Sequence, residues 1–437
     1  MSQISRTISF LKRNGLIPTI YAASERLGWF GADPDQLRAN AYSGSVQKDV
    51  LRTEDQIAED LQKITTKYRF SIVVPAYETD PVFFREMVNS VRNQSYPYWQ
   101  LVIADASKTG VVENAMDEMK DDRICFVRLE ENKGISENTN AAVNYADGDY
   151  IGLLDHDDLL HPEALMEIAL FMQGGEYDMV YTDEDKISGD SKERFEPNFK
   201  PDFNFDFLLS NNYICHFTVL SKKLMDRIAF RPAFNGAQDY DLFLQAIYEM
   251  EKQRREEYWE SKTDLEKTGQ TGAYIPYEKD AMRRRIGHVA KVLYHWRAHM
   301  GSTSDNPESK RYAYEAGKRA LERFAEDNKW DVSVEHTRHL GFYEMVYHPD
   351  IFAVRKDVTA VCGKAVRGGR VVSGPVLDGK MLWHGMNARY SGYLHRAVVR
   401  MSVESADELC IRCRDGLTAA EVSEGRMVYL PDYIVRK

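Results

Sequence analysis

From Phe70 onward, short β-rich apolar runs alternate with helical stretches, and this alternation confines the chain to an α/β architecture. The runs are Phe70 to Pro75, Leu101 to Ala104, Ile124 to Leu129, Tyr150 to Leu154 and Met179 to Tyr181. Between the first two, Phe84, Met87, Val88 and Val91 recur at i, i+3, i+4 and i+7, which places one apolar stripe of a helix on a sheet. A helix starting near Pro162 ends at Gly174-Gly175, with proline at its entry and glycine at its exit. Such βαβ units predict a mainly parallel, Rossmann-like sheet flanked by helices.

The 437 residues allow two or three domains. Residues 1–66 read as a polar, helical N-terminal extension. Within it Ile4, Ile8 and Leu11 fall at helical spacing beside Arg6, Lys12 and Arg13; the segment is either a docking helix or a basic amphipathic helix in peripheral contact with an anionic membrane surface. Residues 67–335 form the α/β domain, interrupted by a charged surface insertion at about 250–286. Residues 340–437 shift toward Val, Gly and Arg, with strand-like pieces at Thr359 to Cys362, Arg370 to Val372 and Met427 to Leu430, and predict a small C-terminal α+β region.

Charge and cysteine usage exclude several function classes. The net charge of −11 leaves no chain-wide positive field, so nucleic acid is not an expected partner. No stretch approaches the roughly 20 apolar residues needed to cross a bilayer and no signal-peptide core is present, so a cytoplasmic protein is expected. Cys125, Cys215, Cys362, Cys410 and Cys413 are scattered and odd in number, as in a reducing compartment. Cys410 and Cys413 alone have metal-like spacing, but no second such pair completes a structural zinc site, and no chemistry is assigned to any of the five.

The chemically informative segment is Asp149-Tyr-Ile-Gly-Leu-Leu-Asp155-His156-Asp157-Asp158, where a buried-strand pattern runs into three carboxylates. Strand carboxyl ends line the crevice in which open α/β sheets bind ligands. Asp155 and Asp157 offer hard oxygen ligands for Mg²⁺ or Mn²⁺ beside a diphosphate, with His156 between them; the bland alternative is an acidic loop in which Asp158 caps the next helix. Asp33/Asp35 and Asp147/Asp149 have the same spacing but sit at Pro34 and Gly148, where turn chemistry suffices. Pro75, Tyr77 and Glu78 end the first strand and Asp105 ends the second, so a base and ribose fit there, Asp105 accepting from an imide N–H and Tyr77 stacking, unless Asp105 merely shapes a turn. The loop Glu131 to Asn140, with Lys133 and Asn138, leads into a helix N-terminus that favours anions.

Taken in order, Val-Val-Pro-Ala-Tyr-Glu, Ile-Ala-Asp-Ala-Ser, Glu-Asn-Lys-Gly-Ile-Ser-Glu-Asn-Thr-Asn, Leu-Leu-Asp-His-Asp-Asp-Leu-Leu and Gly236-Ala-Gln238-Asp239-Tyr-Asp241 resemble a family 2 glycosyltransferase with the GT-A fold, over about residues 68 to 335. The resemblance implies an inverting, metal-dependent transfer from a nucleotide-diphospho-sugar. It places Asp105 on the base, Asp155 and Asp157 on ribose, metal and diphosphate, and Asp239 as general base. Asp183, Glu184 and Asp185 follow another strand; they rival Asp239 as base and otherwise stand, with His216 and Gln238, on the acceptor side, where His216 is equally credible as a packed core residue. The segment Leu293 to Thr303 resembles the late loop that closes over the donor, so Arg297 or His299 would contact diphosphate or metal. Tyr-Thr-Asp-Glu-Asp-Lys and Trp-Arg-Ala-His-Met-Gly-Ser-Thr are similar to enzymes of bacterial surface-polysaccharide, rhamnan and O-antigen synthesis, which implies a glycan or lipid-linked glycan acceptor. Such relatives often carry two modules, and residues 340–437 then read as a degenerate second one serving acceptor positioning or homo-oligomer assembly. Two other readings compete: a catalytically inactive nucleotide-sugar scaffold, and a sugar nucleotidyltransferase, for which the Gly-rich signature and basic triphosphate grip are missing.

Overall fold

The computed structural model describes residues 33–43, 49–117, 119–260, 281–298 and 311–437, with a few isolated positions before residue 33. Ile4, Ile8, most of the insertion and His299 lie outside the described residues. Among the described residues the central sheet has nine strands: β1 (Phe70–Ala76), β2 (Trp99–Asp105), β3 (Ile124–Arg128), β4 (Tyr150–Leu153), β5 (Leu159–Leu160), β6 (Met179–Ser188), β7 (Arg194–Asn198), β8 (Thr218–Ser221) and β9 (Ile286–Ala298). Their order is β3-β2-β1-β4-β8-β6-β9-β5, with β7 paired to β6. β1 to β4 run parallel to one another, as do β6 and β9, whereas β8 lies antiparallel between β4 and β6, β5 pairs antiparallel with β9 and β7 antiparallel with β6. The mainly parallel sheet read from the alternation is therefore mixed. The reversed strand β8 joins two parallel sets, and β5 and β7 are reversed as well, pairings that a run of βαβ units does not encode.

Alternation along β1 sets the two cores. Phe70, Ile72 and Val74 point to one face, packing with Val88 and Val91 of the helix Pro81–Arg92 and Ile168 of the helix Ala164–Phe171. Val73 points to the other, packing into a cluster that takes in the helix Gln238–Glu260, the helix Arg311–Asp327 and the C-terminal residues Val358, Val361, Val428 and Tyr429. Glycine at 152 in β4 is required by this packing, because a Cβ there would meet Ile72 Cδ1 at 2.7 Å and the Phe217 ring at 2.8 Å. The helix Gln238–Glu260 is continuous, so the charged segment expected to begin an insertion near residue 250 starts inside a helix.

Both flanking regions are docked on the α/β domain. Arg52 donates to Asp60, Glu163 and Glu167, Tyr42 donates its hydroxyl to Asp185, and Arg194 pairs with Asp49. Asp33 accepts from the backbone N–H of Asp35 and also from the Tyr390 hydroxyl and Tyr393 N–H, so its turn role is joined to a long-range one. The C-terminal region carries a five-stranded sheet in which Val358–Arg367 and Arg426–Arg436 run parallel and the remaining pairs antiparallel. It meets the α/β domain at Asp206, which accepts from Arg355 and Ser402 and lies 3.6 Å from Arg426. No helix among the described residues is long and apolar enough to cross a membrane.

Candidate active site

Parallel register brings Ala76, Asp105 and Arg128 side by side at the carboxyl edge of the sheet, where β4 also ends and the chain turns into Asp155. Because β8 runs the other way, the residues leading into it, Cys215 and His216, arrive at this same edge. Asp239 arrives in the first turn of the helix Gln238–Glu260. A half-open cleft results, bordered by Pro75, Asp155, Cys215, His216, Gln238 and Asp239. Asp239 accepts from Asn212 Nδ2 at 3.0 Å and from the Tyr240 N–H at 2.9 Å.

The acidic corner is held from behind. Burial, then repulsion from Asp157 and Asp239, raises the Asp155 carboxyl above the usual range, against the pull of His216. Asp158 does not cap a helix: it is buried, accepts from the Tyr294 hydroxyl and the Arg297 N–H, and burial with the charges of Asp157 and Asp155 pushes its carboxyl well up. His156 Nδ1 is buried without a hydrogen-bond partner, 4.0 Å from the Asp157 carboxylate. Arg297, expected at the diphosphate, is instead fully buried, donating to the Asp157 carbonyl, Ser191 Oγ and Glu86. Its role in this geometry is to brace the acidic corner.

At the carboxyl end of β2 Asp105 is buried, accepts from the Ser107 N–H and pairs with Arg128, a partner that sequence reasoning missed because the contact crosses from β2 to β3. Glu78 accepts from the N–H groups of Lys108 and Thr109 and from the Thr109 hydroxyl, tying the loop after β1 to the loop after β2, while Tyr77 is exposed. Asn138 is buried and closes the loop onto itself through Asn132 and the Lys133 N–H; Gly134, at φ +93°, makes the turn into the helix Ile135–Val143. The Lys133 side chain is exposed beside Glu131.

The three acidic residues of β6 separate. Asp183 accepts from Lys200 N–H and His288, and Asp185 from His295 and Tyr42, so both are spent on internal partners away from the cleft. Glu184 stands directly behind His216: it accepts the His216 N–H at 2.8 Å and lies 3.4 Å from His216 Nδ1. Burial alone would raise Glu184, but Lys200 and His216 hold it at about 2. Burial would lower His216, yet its bond to Glu184 and the charges of Glu184, Asp155 and Asp239 raise it to about 9. The ring also stacks on Tyr294, centroids 4.9 Å apart. Since His216 is raised on folding, the ion pair contributes stability that is complete below its ordinary value of 6.5 and is lost as pH climbs through about 9. The thermal midpoint of wild type is therefore expected to fall more between those two pH values than that of His216→Gln; parallel curves for the two would refute the pairing.

The fold and this edge define the class of α/β domains that take a ligand beyond the carboxyl ends of their strands. Residues 71–234 match the family model described as Glycosyl transferase family 2. It is 37% identical over 274 residues to the uncharacterized protein y4gI of Sinorhizobium fredii, covering 61% of this chain and 26% of the relative. It is 29% identical over 268 residues to the O-antigen biosynthesis protein RfbC of Myxococcus xanthus, covering 60% and 18%. The chain thus spans about a quarter or less of the length of these relatives. Residues 1–349 of S. aureus TarS in complex with UDP-GlcNAc align with it at 16% identity and a TM-score of 0.41, covering 60% of this chain and 70% of that one.

Proposed function

We propose that this chain is an inverting glycosyltransferase that moves a sugar from a nucleotide-diphospho-sugar to a hydroxyl of a glycan or lipid-linked glycan acceptor during bacterial surface-polysaccharide synthesis. The observation that carries the reading is that Asp155 and Asp239, far apart in sequence, border one cleft at the carboxyl edge of the sheet. Inversion requires the acceptor oxygen to attack the anomeric carbon opposite the departing diphosphate, so its proton must leave toward a carboxylate on the acceptor side. Asp239 fills that role. Asn212 and the Tyr240 N–H fix its orientation, and Gln238 and His216 beside it suit acceptor contacts. Asp105 and Tyr77 serve the base, and the helix N-terminus after Gly134 suits phosphate.

The divalent cation implied by the family fits the residues present. Asp155 and Asp157 supply hard oxygens, and Asp155, raised first by burial and then by the charges of Asp157 and Asp239, stands among carboxylates whose charge a cation would neutralise. When bound there, Mg²⁺ or Mn²⁺ would stabilise charge growing on the leaving diphosphate. The surface-polysaccharide assignment rests on the similarity to the O-antigen biosynthesis protein RfbC. The test is a thermal-shift screen of nucleotide-diphospho-sugars with Mn²⁺ or Mg²⁺. One donor class at about 100 times its Kd should stabilise the protein by about 2.7 kcal/mol, and Asp157→Ala should abolish the shift. No stabilisation by any donor with either cation would overturn the reading.

A further inference from the structure

Cys215, His216 and Asp239 each offer a ligand atom, and these atoms all lie within 4.8 Å of one another in the cleft wall. A tetrahedral zinc site with one sulfur, one nitrogen and one oxygen has ligand edges of about 3.3–3.8 Å, so modest rotamer adjustment closes the group around an ion. Glu184 supplies the second feature of a metal-binding histidine: it faces His216 Nδ1, so when that nitrogen carries the proton the lone pair is on Nε2, and the ring is oriented by a carboxylate behind it. The local charge favours a cation, since the carboxylates of Asp155, Asp239 and Glu184 act on the ring against the buried ammonium of Lys200. The softness of the donors decides which cation. Sulfur and imidazole select Zn²⁺ over Mg²⁺ or Mn²⁺, which prefer the all-oxygen corner at Asp155 and Asp157.

We propose that Cys215, His216 and Asp239 form a second, thiophilic cation site for Zn²⁺, with a fourth position open to the cleft, and that its occupancy inhibits transfer by withdrawing Asp239 from its role as base. Binding expels to solvent the thiol proton and any second proton on the imidazole; no electrons are exchanged. The inhibitory consequence rests on the proposed transferase reading, whereas the site itself does not.

The experiment is anaerobic titration of reduced, chelator-dialysed protein with Co²⁺ in the absence of any nucleotide sugar. At one equivalent a sulfur-to-cobalt charge-transfer band and the intense visible bands of a tetrahedral site should appear and be bleached by an equivalent of Zn²⁺. Cys215→Ser should lose the charge-transfer band and bind Zn²⁺ at least about tenfold more weakly, while Cys413→Ser, which alters an exposed thiol elsewhere, should keep both. No band in wild type, or a band that survives Cys215→Ser in a protein of unchanged circular dichroism, overturns the site. In the transfer assay with Mn²⁺, the Zn²⁺ concentration that halves each protein's own activity should rise at least about tenfold in Cys215→Ser; equal sensitivity overturns the inhibitory role. A cobalt spectrum without any transfer activity would remove the transferase reading and leave the site, and transfer without a cobalt spectrum would do the reverse.

Discussion

Asp239→Asn should lower the rate of sugar transfer by about 10² to 10⁴-fold while leaving donor affinity within about twofold, because a general base acts in the transition state and not on the bound donor. The substitution is a clean probe of chemistry. The side-chain oxygen that accepts from Tyr240 is retained, and the new amide faces Asn212, whose own Oδ1 is buried without a partner and can turn to receive it. Donor affinity by calorimetry, followed by kcat and KM with acceptor, separates the outcomes. Wild-type turnover would return the base to Glu184, the remaining β6 carboxylate near the cleft, since Asp183 and Asp185 are committed to His288 and His295.

Arg355→Ala should destabilise the whole chain by about 3–5 kcal/mol, the usual penalty for leaving buried charge without its partner. Arg355 is fully buried, its guanidinium reaching Asp357 at 2.7 and 2.8 Å and Asp206 at 3.0 Å, between the rings of Phe205 and Trp330. Arg426 and Ser402 compensate only in part, Arg426 for both carboxylates and Ser402 for Asp206. As one apolar cluster runs from Val73 through the helix Gln238–Glu260 to Val428, urea unfolding of the variant should remain a single transition at lower midpoint. A variant that splits into two transitions would show that residues after 340 fold on their own.

What was legible beforehand is what local pattern encodes. The apolar runs located β1 to β4 and β6, the Phe84 to Val91 stripe located its helix, and a strand ending in carboxylates located the acidic corner. Contacts between distant segments left no such trace. Arg128 became the partner of Asp105 only through the register of β2 with β3, and the burial of Arg297 depends on Glu86, Ser191 and Asp158 converging from three elements. Reversal of β8 was equally hidden, since a four-residue strand reads alike in either direction, yet that reversal delivers Cys215 and His216 to the site. The adjacency of Cys215 to His216 was a visible signal. It gained meaning only when Asp239 closed the triangle.

The bonds from Asp33 to Tyr390 and Tyr393 join the stretch before the α/β domain to the stretch after it. Anyone trimming the protein to residues 67–335 would therefore cut a buckle as well as a strap, baring Phe199 where Tyr42 and Tyr393 now flank it and Val73's side of the sheet where Val358 and Tyr429 now close the core. Such a minimal fragment is a poor vehicle for assay or crystallisation, and cuts for expression belong upstream of Asp33.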